Sequence, residues 1–197
     1  MHQEHLEDVL HKAGVRHTGE PIGDIASERV RDAVVSRIPW LLFGLVAGLC
    51  LSVVSSQFEA TMRETIALAF FLPVIAYIAD SVGTQSEAIA IRAFALREVE
   101  YGIYLRRELG VGVVVGGVLG ILGGIGAVGI GGSVSIGLVV GLSLFVSSTV
   151  ATALASLIPI GFIVVGVDPA LGSGPLATAL QDGLSLLIYF LFAVVLL

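Results

Sequence analysis

The chain has 197 residues, is 56% hydrophobic and only 13% charged, with a mean hydropathy of +0.99. A water-soluble domain carries about twice that share of charge, so the composition excludes one and points to an all-α integral membrane protein. Beside a net charge of −6 there is no basic tract of the kind that holds nucleic acid. The lone Cys50 excludes an internal disulfide and reads as a small packing residue.

Residues 1–37 form a polar tail without the short apolar stretch and cleavage site of a signal peptide. It holds all four histidines, His2, His5, His11 and His17. The first two have helical spacing that the others do not continue, so the tail reads as a solvated segment rather than a metal site. Its end, "DIASERVRDAVVSRIPW", puts Ile25, Val30, Val34 and Ile38 on one helical face. That pattern predicts an amphipathic helix on the membrane surface.

From residue 38 to 197 the chain reads as one transmembrane domain of five spans, at 38–57, 64–96, 109–130, 133–165 and 175–197. Each is near or above the roughly 20 residues that cross a bilayer core. Basic residues set the orientation. Arg29, Arg31 and Arg37 precede the first span, and Arg92, Arg97, Arg106 and Arg107 lie between the second and third. The remaining early loop has only Arg63. The N-terminus is therefore expected in the cytoplasm and the C-terminus outside, in a multi-pass protein of the cell membrane.

Small residues recur every four positions in two spans: Gly112, Gly116, Gly120 and Gly124 in the third, Gly44, Gly48, Ser52 and Ser56 in the first. Such ladders let membrane helices approach closely, and packing accounts for both. Ser148, Thr152 and Ser156 of the fourth span are expected to bond back to their own helix.

Charged groups inside the membrane cost at least about 2.5 kcal/mol each and usually face a cavity or a partner. Asp80, Glu87 and Arg92 interrupt the second segment in "IADSVGTQSEAIAIR", and Asp182 interrupts the fifth in "GPLATALQDGLSLLIYF". Asp80 lies about 24 Å along a helix from Glu64, and Asp182 about 10 Å from Pro175. Entering from opposite sides, both fall in the cytoplasmic half of the bilayer, at similar depth. Thr178 shares a face with Asp182, one turn earlier. Glu87 sits further inward, within reach of the cytoplasmic headgroups near Arg92. Gly83 predicts a loosening of the second helix. Carboxylates, hydroxyls and carbonyls are hard oxygen ligands, suited to Mg²⁺, Ca²⁺ or Mn²⁺. Mg²⁺ keeps several waters and needs only one or two carboxylates.

"PWLLFGLVAGL", "QFE", "ALAFFLPVIA", "VGTQSEAIAIRAFAL" and "GVDPALGSGPLATALQDGLSLLIYF", in that order, resemble the membrane domain of the MgtE magnesium channels and transporters. The resemblance runs from about residue 37 to the C-terminus. It implies a homodimer with five spans per subunit and an ion path along the dimer interface. It also implies that Asp182 is the central Mg²⁺ ligand, that the backbone carbonyl at Thr178 lies close to the ion, and that Asp168 of "DPA" is an acid near the cytoplasmic mouth. Asp168 also reads as a turn residue before Pro169. Two departures stand out. The family's polar break reads G-N-x-G-x-Q-S where this chain has "DSVGTQS", adding the charge of Asp80. The tail of 37 residues holds neither the large N-terminal domain nor the paired cystathionine-β-synthase-type modules of bacterial members. The chain therefore resembles the stripped membrane core of archaeal members and of the related animal solute carriers.

The function expected is transport of a divalent cation, Mg²⁺ first, with Asp182, Thr178, Asp80, Asp168 and Glu87 along the path. A channel and a Na⁺-coupled exchanger remain open on the same residues. An intramembrane aspartyl protease would also need two aspartates, but its G-x-G-D motif is absent. No histidine lies in the spans to serve a serine nucleophile as base, so no enzymatic reaction is expected.

Overall fold

The computed structural model describes residues 30–95, 100–166 and 169–197. The described chain is helical: α1 (Val30–Ser56), α2 (Glu59–Glu64), α3 (Ala67–Ala95), α4 (Tyr101–Gly131), α5 (Val134–Val164) and α6 (Pro169–Leu196). Among the described residues five stretches are long and apolar enough to cross a membrane: Arg37–Ser56, Ala67–Phe94, Tyr101–Gly131, Val134–Val164 and Ser173–Leu196. The all-helical, five-span expectation holds. In hydrocarbon every backbone N–H and C=O must be paired within the protein, which forces helix even on sequences that form it poorly in water. Glycine costs about 1 kcal/mol relative to alanine in a soluble helix, yet α4 runs unbroken through "GVGVVVGGVLGILGGIGAVGIG".

Three expectations about boundaries change. From Val30 onward there is no separate surface helix: Val30, Val34 and Ile38 belong to α1, which continues into the first span through Pro39. Nothing between Val30 and Ile38 breaks a helix, since no glycine or proline intervenes. Ile25 and the four histidines lie outside the described residues. The third span also begins at Tyr101, not near Leu109. Arg106 and Arg107, expected in a loop, are exposed on the first turns of α4, where long basic side chains can reach the headgroups. The short α2 between the first two spans is a further addition.

The link between α4 and α5 is two residues long. Gly132 ends α4 at φ 69°, and its N–H donates to the Val128 carbonyl. That left-handed conformation favours glycine. Ser133 then caps α5, its hydroxyl accepting from the Ser135 N–H at 3.2 Å. So short a link makes the two helices an antiparallel hairpin, and the glycine ladder closes it. A Cβ at Gly116, Gly120 or Gly124 would lie 2.7, 2.6 and 2.9 Å from the backbone oxygens of Phe145, Gly141 and Gly137. Backbone cannot yield as a side chain can, so the ladder is close packing, as expected.

The ladder of α1 behaves differently. Gly44 and Gly48 have nothing within 4 Å of a Cβ position, and Ser52 and Ser56 bond back to the carbonyls of Gly48 and Val53 in their own helix. Cys50 is exposed, so it is not a packing residue within the protomer. α1 meets the rest of the protomer along α6, where Leu51 covers Gly183.

The most buried span is α5, packed against α3, α4 and α6. Of its hydroxyls, Thr152 and Ser156 bond back to the carbonyls of Ser148 and Thr152, each at 3.1 Å, as expected. The Ser148 hydroxyl has no partner among the described residues. One half of the bundle is an apolar core built on Leu68, Ile75, Val139, Val140, Leu144 and Phe190. There Tyr189 donates to the Leu68 carbonyl at 2.8 Å, and Phe58 stacks on Phe190 at 4.4 Å. Polar groups gather below this core.

Candidate functional site

Three contacts, taken in order, set α3 and α6 antiparallel along one seam: Leu68 with Tyr189, Asp80 with Thr178, and Glu87 with Ser173. The first is in the apolar core. The other two bring together polar residues far apart in the sequence, within two of the apolar spans.

Asp80 is half-buried on α3, and its Oδ1 accepts from the Thr178 hydroxyl at 3.1 Å. Asp182 follows Thr178 by one helical turn on α6, so the two share a face. It is also half-buried, one turn of α6 from the hydroxyl that holds Asp80. Asp80 and Asp182 therefore stand within about one turn of each other along the seam, or about 5 Å. Two like charges held this close in a low-dielectric setting oppose each other unless a cation or a proton lies with them.

Glu87 lies where α3 approaches the start of the fifth span. The headgroup placement does not hold: it is 8% exposed, and its Oε1 accepts from Ser173 at 2.6 Å. The helix turns it inward, onto α6, and leaves Arg92 exposed. Asp168 lies outside the described residues.

The loosening expected at Gly83 is absent, since α3 is continuous from Ala67 to Ala95. The glycine serves another purpose. It is buried, and a Cβ there would collide with the side-chain amide of Gln181. Gly83 lets α6 lay a long polar side chain against the backbone of α3.

The site thus consists of Asp80, Thr178 and Asp182, with Glu87 and Ser173 below them. These are hard oxygen donors, suited to an ion that keeps part of its water. Among the described residues no three acids, histidines or cysteines of one protomer gather into a metal cage.

Sequence reasoning missed three residues. Ser173 and Gln181 carry no charge and are conspicuous only once the seam exists. Glu108 is 4% exposed on α4, and its signal was legible. Tyr104, Glu108, Gly112, Gly116 and Gly120 are all buried at a spacing of four, so Glu108 continues the glycine ladder toward the start of α4.

Residues 72–192 match the family model described as MgtE, divalent cation transporter. The chain belongs to the MgtE family. It is 38% identical over 161 residues to the magnesium transporter MgtE of Bacillus subtilis, a match covering 80% of this chain and 36% of that protein. It is 35% identical over 167 residues to the magnesium transporter MgtE of Enterococcus faecalis, covering 83% and 37%. With the magnesium transporter MgtE of Thermus thermophilus it shares 34% over 160 residues, covering 79% and 35%. The chain therefore spans little more than a third of the length of these MgtE relatives. The matched region contains both the Asp80 and the Asp182 segments. The family is one of transporters, in keeping with the expectation that the chain is not an enzyme.

Proposed function

We propose that this chain carries divalent cations, Mg²⁺ above all, across a cell membrane, along a path lined by the α3–α6 seam. The observation that carries the reading is the Asp80–Thr178 hydrogen bond with Asp182 one turn away. Polar groups of this cost persist at membrane depth where they line a path or a cavity. The relatives are magnesium transporters, which supports Mg²⁺ as cargo, and an all-oxygen site suits it.

In this reading Asp182 is the primary ligand and the Thr178 backbone carbonyl stands near the ion. Asp80, held by the Thr178 hydroxyl, adds attraction at nearly the same depth. Asp168 and Glu87 lie toward the cytoplasmic mouth. Two protomers pair so that two copies of Asp182 face one ion, which supplies the charge one protomer lacks. The N-terminus is cytoplasmic and the C-terminus outside.

The test is ion flux into liposomes holding the purified chain, with gradients of Mg²⁺, Ca²⁺, Mn²⁺ and Na⁺ imposed singly. The reading expects Mg²⁺ flux well above that of protein-free liposomes, blocked by competing hard divalent ions. Equal leakage of all four ions, or none of Mg²⁺, contradicts it. Dependence of Mg²⁺ flux on an opposed Na⁺ gradient would assign the exchanger mechanism.

A further inference from the structure

Gln181 immediately precedes Asp182 and is 3% exposed. Its side chain leans down α6 toward the helix start, as helix side chains do, and lies against Gly83, with Nε2 2.6 Å from where a Cβ would stand. Neither its Oε1 nor its Nε2 has a hydrogen-bond partner among the described residues. A primary amide offers two donors and a carbonyl oxygen with two lone pairs. Burying it unpaired is costly, and an apolar side chain of similar length would fill the same space without that cost. Packing alone therefore does not account for a glutamine here.

Its surroundings supply a reason. Thr178, which holds Asp80, lies one turn before Gln181 on α6, and Gly83 lies one turn after Asp80 on α3. The amide thus lies on the seam that carries both carboxylates, one turn of α3 from Asp80 and next to Asp182 in sequence. An ion that keeps part of its water presents outward-pointing O–H groups, which need acceptors beyond the inner ligands. An amide oxygen meets that need without adding a third negative charge to Asp80 and Asp182.

Resting on the reading of those carboxylates as ion ligands, we propose that Gln181 is an outer ligand of the transported cation, its Oε1 accepting from water carried by the ion. Gly83 is the complementary part, because only a residue without a Cβ leaves the amide this position. Gln181 thereby favours ions that retain their water, Mg²⁺ over Ca²⁺.

The experiment compares the full chain, purified in detergent, with Gln181→Leu, Gly83→Ala and Asp182→Asn. Melting temperature is measured in chelator and then across a MgCl₂ titration. Gln181→Leu keeps the volume and removes the unpaired atoms, so its melting temperature in chelator should equal or exceed the parent's. The Mg²⁺ concentration giving half of the stabilisation should rise about tenfold, the loss expected for one hydrogen bond to a charged site. Gly83→Ala displaces the amide without changing it and should raise that midpoint similarly. An unchanged midpoint in Gln181→Leu overturns the proposal, whatever its melting temperature. Should that variant fail to fold, an unchanged midpoint in Gly83→Ala overturns it instead. Asp182→Asn separates the two levels. If it keeps the full Mg²⁺ stabilisation, the ion-ligand reading itself fails. If it loses the stabilisation while Gln181→Leu keeps the parent's midpoint, only the role of Gln181 fails.

Discussion

Asp80 shows how much one hydroxyl can decide. A carboxylate on a flexible link would swing between positions, but the Thr178 hydroxyl holds one of its oxygens at 3.1 Å. Thr178→Val keeps the shape and removes the donor. It should cost about 1 kcal/mol of stability and weaken the half-saturating Mg²⁺ concentration for flux several-fold, measured in liposomes. Asp80→Asn preserves an acceptor for Thr178 but removes a charge, so transport should persist with a changed Mg²⁺ to Ca²⁺ flux ratio. Glu87→Gln still offers Ser173 an acceptor and should change Mg²⁺ flux least of the acidic substitutions. The acids were legible in the sequence because a charge in an apolar run has a cost that demands a reason. The inward turn of Glu87 and the role of Gly83 were not. Both depend on which side of α3 meets α6, and a span that is polar in its middle does not announce that side.

Among the elements, the α4–α5 hairpin rests on backbone contact. Gly120→Ala would bring a methyl 2.6 Å from the Gly141 carbonyl oxygen, and overpacking of this kind costs about 1–3 kcal/mol. Gly126, on the same helix, has nothing within 4 Å. Gly126→Ala should therefore leave the melting temperature unchanged in the assay where Gly120→Ala lowers it. The spacing of four made the ladder readable, because close packing of membrane helices has that period. The start of α4 was harder to read. Charge density at Arg106 and Arg107 resembles a loop, yet long basic side chains can leave the helix for the headgroups without ending it. The buried period continuing through Glu108 and Tyr104 marks the true start better than the charges do. In α1, by contrast, the same small-residue period has no counterpart inside the protomer, so periodicity gives the existence of a packing face and not its partner.

At the scale of the whole molecule, one protomer brings Asp80 and Asp182 together but supplies no complete cage among its described residues, and the proposed pairing of two chains doubles both acids. Native mass in mild detergent should then give twice the 20.4 kDa of one chain, and a transporting protein that is purely monomeric would remove that part of the account. The central claim is that the cation passes through a site whose primary ligand is Asp182. Mg²⁺ uptake into liposomes by Asp182→Asn, beside the parent chain at equal reconstitution and with its melting temperature in chelator checked, tests it most directly. The account predicts a variant that folds as the parent does and takes up Mg²⁺ at least about a hundredfold more slowly, a loss of about 2.7 kcal/mol or more at the ion site. Uptake at the parent's rate by the folded variant would contradict it.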